Sequence, residues 1–331
     1  SRPPRPNLAN IASPRSPPSY LENADLGHAK PSDPKRAEQL VKKWQGVCSS
    51  AQRRSAPGGE GWRYEHLDIW LKAHDTGAYV MQAIADHRVP PDVRTFLSAD
   101  RMLAFVKPDP DGVAPPSIAF GIRPIGIPSA FRRTAHRPLA TEATARWSER
   151  LLEMGQVGCG LRAGAEVPPR MLQAMLEFDP SCAIDSEDVK NAFNEVDREA
   201  VADVLKREDP ELYDYFMAYY QTGCLQLFRL FSGELLRLWS SVRGLIQGDA
   251  LAAVIFDIVY TVLVLKPVRE FYRESVVVLA LHDDTYAAGC PTLLPEVSKM
   301  LKEYAAKIGL VYGDAKRKLL QLLGDHGSRD A

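Results

Sequence analysis

The chain has 331 residues, 45% of them hydrophobic and 25% charged, with 41 Lys and Arg against 42 Asp and Glu. This composition excludes a disordered, collagen-like or disulfide-scaffold protein and supplies apolar material for one large domain or two. A formal net charge of −1 argues against a nucleic-acid binder, whose domains usually run basic. No apolar run reaches the ~18–20 uncharged residues that span a bilayer. The longest, residues 251–265, is interrupted by Asp257 and reads as a buried helix. The N-terminus lacks the apolar stretch of a signal peptide. Cys48, Cys159, Cys182, Cys224 and Cys290 are scattered without CxxC spacing, as expected of reduced thiols in an intracellular protein without a zinc site.

Residues 1–32 are rich in Pro, Ser and Asn, which predicts a disordered segment. Asp33 as N-cap before Pro34 starts a helix whose face carries Ala37, Leu40, Val41 and Trp44. After a Pro/Gly turn at 55–59, short helices are expected over 62–73 and 76–87. Residues 102–106 and 118–127 read as strands of a hairpin, with Pro108, Pro110 and Gly112 in the connection. A long helix is expected over 129–153, then a glycine-rich stretch at 155–164 and a helix after Pro168. Residues 182–184 form a short strand ending in carboxylates, and helix runs from Asp197 to about Tyr220. Strands at 225–231 and 235–242 pair around Ser232-Gly233, and 248–268 is helical. Strands at 276–280 and 285–288 form a returning pair, 295–308 is the last helix, and Val311 with 319–323 closes the pattern. Interleaved strands, helices and short hairpins favour α+β over a doubly wound parallel sheet.

Two acidic segments stand where strands end: Asp185-Ser186-Glu187-Asp188 and Asp283-Asp284. In the second, a run of strand formers delivers adjacent aspartates to a tight turn. Carboxylates this close raise one another's pKa unless a cation neutralises them. Hard divalent cations with oxygen ligands, Mg²⁺ or Mn²⁺, are the natural partners. Carboxylates from neighbouring strands could hold two ions about 4 Å apart, clamping attacking and leaving oxygens in phosphoryl transfer. The alternative is a plain polar hairpin turn, since Asp favours turns.

Further motifs surround these acids in a fixed order. Ser55-Ala56-Pro57-Gly58 with Gly61-Trp62 comes first, then Phe105-Val106-Lys107-Pro108 and Arg123-Pro124-Ile125. Asp188-Val189-Lys190-Asn191-Ala192-Phe193-Asn194, Gly244-Leu245-Ile246-Gln247-Gly248-Asp249, Leu281-His282-Asp283-Asp284 and Gly309-Leu310 with Lys316 follow. Over roughly residues 50–320 this order resembles the reverse transcriptases of non-LTR retrotransposons: an entry motif, the two strands of the fingers hairpin, then motifs A, B, C and D. The resemblance implies a right-hand polymerase fragment. An N-terminal extension and fingers would occupy 33–180, an antiparallel palm sheet packed with helices 181–323, and a tail 324–331. It implies RNA-directed DNA synthesis, with a primer 3′-hydroxyl attacking the α-phosphate of a deoxynucleoside triphosphate, assisted by two Mg²⁺ ions or alternatively Mn²⁺. RNA template, DNA primer and deoxynucleoside triphosphates are the implied partners, with no membrane, and with thumb or endonuclease segments outside this chain. A nuclear location is implied if the element is eukaryotic.

By the same resemblance Asp188 and Asp283 bridge the metals and Asp284 is an auxiliary ligand. Asp185 and Glu187 are expected as strand-edge or solvated acids. Phe193, five residues after Asp188, resembles a steric gate that leaves no room for a 2′-hydroxyl; the alternative is a core phenylalanine. Gln247-Gly248 resembles the turn that approaches nucleotide and template base, glycine permitting close backbone contact. Arg123 and Lys107 are candidates for holding the triphosphate, with surface charges as the alternative. Lys316 matches a motif D lysine, a proton donor to pyrophosphate. The chain departs from the pattern at Leu281-His282 (usually aromatic-Ala), at Asp249-Ala250 (commonly a small or Pro-containing pair) and at Gly313 (frequently Asn). His282 is expected to adapt the packing and not to bind metal. These departures leave open a second reading, a catalytically inactive relic that binds nucleic acid. A third, an RNA polymerase of similar palm, is disfavoured by Phe193. The neutral charge sum is expected to hide two opposed regions. One is basic, with Arg123, Arg132, Arg133, Arg137, Arg146, Arg150, Arg162 and Arg170 suited to phosphate backbone. The other is acidic, from Asp179 to Asp203.

Overall fold

The computed structural model describes residues 33–107, 122–221, 224–229, 235–313 and 317–321. The expected disordered segment at 1–32, the hairpin connection, Ser232-Gly233, Lys316 and the tail lie outside the described residues. Helix α1 (Pro34–Ser49) starts as its sequence dictates: Asp33 accepts from the Lys35 N–H at 3.0 Å. Helices α2 (Tyr64–Ala73) and α3 (Thr76–Ala85) follow, and Trp44 of α1 is buried with its indole N–H on Gln82 of α3. Helix α4 (Pro91–Leu97), which the sequence pattern did not suggest, begins at a proline and buries only Leu97.

Strands β1 (Asp100–Val106) and β2 (Ile122–Pro128) form the expected antiparallel hairpin, Asp100 opposite Pro128 and Val106 opposite Ile122. The single helix expected over 129–153 is instead two, α5 (Ala130–Ala135) and α6 (Arg137–Glu153). Pro138 in the first turn of α6 has no N–H with which to continue the ladder. Helix α7 (Val167–Phe178) precedes β3 (Ala183–Asp188), and the short α8 (Ala192–Glu195) follows it. Pro210 likewise splits the next helix into α9 (Arg198–Glu208) and α10 (Pro210–Tyr220). Strands β4 (Cys224–Arg229) and β5 (Leu235–Ser241) pair antiparallel, and β4 lies parallel to β1, giving a sheet ordered β2-β1-β4-β5. The segment expected to form the palm therefore also contributes strands to the sheet of the fingers hairpin.

The apolar helix after motif B starts later than expected, as α11 (Ala252–Tyr260). A π-helical turn at Thr261–Leu265 and α12 (Lys266–Tyr272), with Pro267 in its first turn, carry it on. Strands β6 (Val276–Leu281) and β7 (Asp284–Gly289), helix α13 (Leu294–Lys307) and β8 (Lys318–Gln321) complete the chain. The second sheet, β6-β7-β3-β8, is antiparallel throughout. One core runs from Trp44 through Tyr219 and Phe256 to Val278 and Leu301. A smaller cluster of Leu172, Leu176, Ile184 and Ala288 packs α7 on the second sheet. Among the described residues no helix is long and apolar enough to cross a membrane, and all five cysteines are free.

Part of the expected basic stretch is paired within the chain, with Arg146, Arg150 and Arg170 remaining on the surface. Arg146 pairs with Asp209 and Glu211, Arg150 with Glu208, and Arg170 with Glu166. Arg133 donates to the Ala56 carbonyl. Arg132 is 1% exposed; it donates to Asp249 at 2.5 Å and to the Tyr215 hydroxyl, tying α5 to motif B. Tyr215 and Tyr220 donate to the same carboxylate, as does the Leu251 N–H, and the Tyr219 ring lies 4.6 Å from the guanidinium carbon. Burial opposes ionisation of Asp249, yet Arg132 and the tyrosine hydroxyls outweigh it and hold the carboxyl below its ordinary range. The unusual aspartate in motif B is thus half of a buried ion pair. Asp249→Ala would leave Arg132 buried and charged without its carboxylate partner, so a loss of about 3–5 kcal/mol is expected in urea unfolding. The joint change Arg132→Met, Asp249→Leu should recover at least half of it.

Candidate active site

Strand alternation sorts the acids of β3. Asp185 and Glu187 face inward, 2% and 5% exposed, toward α13 and residue 317. Asp185 accepts from Arg317 Nε at 2.9 Å, and Glu187 lies 3.8 Å from Lys302 and 3.7 Å from Arg317. Burial raises the Glu187 carboxyl above its ordinary value. This corrects the expectation that both are strand-edge or solvated acids: period-2 alternation turns them into the protein. The same alternation puts Asp188 on the other face, at the end of β3 and directly opposite Asp284 of β7.

Leu281 pairs with Asp284, so His282 and Asp283 alone form the β6–β7 turn. His282 takes the left-handed φ of 57° at its first position. Asp283 is partly buried in that turn. Burial first, then the charges of Asp284 and Asp188, push its carboxyl up to about 6. Behind the turn, Tyr260 hydrogen-bonds Thr285 at 2.6 Å and also meets the Tyr312 hydroxyl, forming a buried polar layer. Next to it, the Gly313 N–H donates to the Asp188 carbonyl at 2.8 Å. The strands bring Asp188, Asp283 and Asp284 to one end of the second sheet, where β3 finishes and β7 begins. Among the described residues, no three His, Cys, Asp or Glu side chains converge as a ready-made ion cage.

Phe193 lies on α8, half-buried, with its ring stacked on Phe256 at 4.7 Å and its carbonyl accepting from the Leu245 N–H of motif B. Motifs A and B touch through backbone: a β-carbon on Gly244 would fall 2.2 Å from the Asn194 carbonyl. Arg198 fixes this junction by donating to the carbonyls of Gly244, Tyr220 and Ser241. Gln247 is exposed. Gly248 makes the close approach expected of it, but to the fingers strand: a β-carbon there would lie 2.4 Å from the Gly126 carbonyl of β2. Arg123 is exposed on β2 of the first sheet, opposite Phe105, and Lys107 lies just past the end of β1. A cleft of about 370 Å³ opens between that sheet and the A–B junction, lined by Pro124, Gly126, Asn194, Gln226, Phe228 and Arg243 among others.

Sequence reasoning missed two residues at the turn. Gln156, fully buried in the glycine-rich stretch, accepts from the His282 N–H at 2.9 Å and donates to the His282 carbonyl at 3.1 Å. Asp257 of α11, 0% exposed, meets His282 Nδ1 at 3.0 Å through each oxygen. The signal for Asp257 was present: a carboxylate inside an apolar helix needs a partner.

No family model matches this sequence. Over 301 residues the chain is 25% identical to the retrotransposable element SLACS 132 kDa protein of Trypanosoma brucei gambiense, spanning 88% of this chain and 23% of that protein. Its fold is similar to that of apo telomerase from Candida tropicalis, with a TM-score of 0.51 and 14% identity over 71% of this chain and 45% of that one. A second Candida tropicalis telomerase structure, in complex with a TWJ fragment of telomeric RNA, gives a TM-score of 0.49 and 14% identity over 70% of this chain and 42% of that one. Sequence and fold together support a reverse-transcriptase-like domain of α+β build. Its sequence relative is a retrotransposon protein, of whose length the chain spans less than a quarter.

The raised carboxyl gives a direct test of the acid cluster. Asp283 ordinarily titrates at 3.8 and here at about 6, so the folded state binds its proton more tightly than the unfolded chain. That penalty is fully present above pH 6 and fades as pH falls toward 4. Asp283→Asn is therefore expected to stabilise the metal-free protein by about 1–2 kcal/mol at pH 7, allowing for solvent screening of a partly exposed turn. Thermal unfolding in EDTA should show the gain at pH 7 and little or none at pH 4.

Proposed function

We propose that this domain is an RNA-directed DNA polymerase. The observation that carries the reading is the placement of Asp188 across from Asp284, with Asp283 in the adjoining turn and its carboxyl pushed up by burial and its neighbours. Such a cluster is costly to assemble unless its purpose is to bind positive charge. The donors are all carboxylate oxygens, which suits Mg²⁺, with Mn²⁺ as the alternative. Asp188 and Asp283 would hold the two ions, and Asp284 would assist. Bound there, the ions would supply Lewis-acid stabilisation of the attacking and leaving oxygens.

The remaining work falls to the chain itself. The cleft beside motifs A and B, lined by Leu245 and Ile246 of motif B, would receive the nucleotide and its template base, with the Gln247-Gly248 turn following directly in the chain. Arg123 and Lys107, on the fingers hairpin, would meet the triphosphate. Phe193, braced on Phe256, would press against the sugar and exclude a 2′-hydroxyl. The primer 3′-hydroxyl gives up its proton to solvent as its oxygen bonds the α-phosphorus, and the bond to the bridging oxygen breaks so that pyrophosphate leaves. Lys316 would protonate that leaving group. An RNA template, a DNA primer and deoxynucleoside triphosphates are the substrates on this reading.

The competing reading, an inactive relic, predicts departures from the motifs that nothing compensates. Both central departures have partners instead: His282 is met by Asp257 and Gln156, and Asp249 by Arg132, Tyr215 and Tyr220. That favours the enzyme. Extension of a DNA primer on an RNA template with Mg²⁺ decides the matter. Wild type should extend, Asp188→Ala and Asp283→Ala should each lose at least a thousandfold, and Phe193→Val should admit ribonucleotides. Failure of the wild type to extend, or extension that survives both aspartate changes, would sink the reading.

A further inference from the structure

We infer that Asp257 is a positioning residue, acting through the His282 imidazole to hold the β6–β7 turn so that Asp283 stays beside Asp188. The inference takes the role of Asp283 from the polymerase reading; its other support is geometric. A residue with a β-carbon pays about 1 kcal/mol or more for left-handed φ, and His282 sits at 57°. Relaxation of that dihedral would swing the next residue, Asp283, out of line with β3. Three contacts oppose it. Gln156 takes both backbone groups of His282, and Asp257 takes the ring. Gly158 provides the space, since a β-carbon there would lie 2.7 Å from both His282 N and Nδ1.

Fold stability gives no reason for an acid at position 257. Residues on either side of it in α11 are apolar and buried, and an aliphatic side chain would avoid the desolvation that a carboxylate suffers there. Among the described residues His282 is the hydrogen-bond partner found for this carboxylate. What the acid supplies is orientation. It fixes the ring in one plane, and with Gln156 it leaves the turn residue no free rotation about either side of its α-carbon. Where the family resemblance expects aromatic-Ala before the two aspartates, this chain would have replaced passive packing with a directed hydrogen bond from the helix behind.

The test measures Mn²⁺ affinity by the electron paramagnetic resonance signal of free Mn²⁺, together with thermal unfolding, on the 331-residue chain. Asp257→Leu should weaken binding at least fivefold while the unfolding midpoint is kept or raised. Asp257→Asn, whose amide oxygen can still accept from Nδ1–H, should bind within twofold of wild type. Should the leucine variant fail to fold, the double variant Asp257→Asn, His282→Ala removes the ring without leaving a buried charge, and it should show the same fivefold loss. Wild-type affinity in a folded Asp257→Leu or in the double variant overturns the inference, as does an equal loss in Asp257→Asn. If wild type binds no Mn²⁺, or Asp283→Ala binds as wild type does, the metal-site reading itself falls and the inference with it. The two failures are thereby distinguishable.

Discussion

Like charges held side by side must be restrained by something other than themselves, and that constraint governs this molecule. Asp188 and Asp284 face each other across two strands, with Asp283 one residue further on. Left to Coulomb's law the three would separate. The chain resists by packing rigid elements around them: the tyrosine–threonine layer below, the Gly313 N–H on the Asp188 carbonyl, and the 155–158 segment, which adds to β6 through hydrogen bonds between Val157 and Ala280 and between Ala280 and Gly155. They hold three mutually repelling carboxylates at one end of the sheet.

The same logic explains the near-neutral composition. Most arginines between residues 132 and 170 whose contacts are seen have an acidic or carbonyl partner within the fold. The acids of the following stretch are spent similarly: Asp197 caps α9, Asp179 caps the turn at Ser181, and Asp185 faces Arg317. Charge here is paired both on the surface and, at Arg132 with Asp249, in the core. A sum over the sequence cannot distinguish an arginine that reaches outward from one, like Arg132, that lies in the core.

How much could be read from the sequence followed from the range of the interactions involved. Local signals were legible: the Asp33 cap, the run of strand formers in β6, the turn at motif C, and the order of motifs that pointed to the three aspartates. Prolines 138, 210 and 267 were equally visible but were underweighted, and each marks a place where a helix expected as continuous is interrupted or distorted. What could not be read were pairings between distant segments. Nothing local joins Arg132 to Asp249 or Asp257 to His282, although a buried acid in an apolar helix announces that some partner exists. The faces of Asp185 and Glu187 were open to deduction once β3 was known to run to Asp188, because alternation leaves only one choice.

One pairing has a consequence for how the chain assembles. Strand β1 lies between β2 and β4, and its parallel contact joins residues 100–102 to residues 226–228. As the polypeptide is synthesised from its N-terminus, the β1–β2 hairpin is complete long before β4 exists, and until then one edge of β1 shows unpaired N–H and C=O groups. Closing it requires a long loop to be ordered first, an entropic cost that slows folding. During that interval the open edge is a template for any other extended chain. Severing the polypeptide between α7 and β3 would make the interval permanent, so the first half cannot be separated from the second without exposing an adhesive strand.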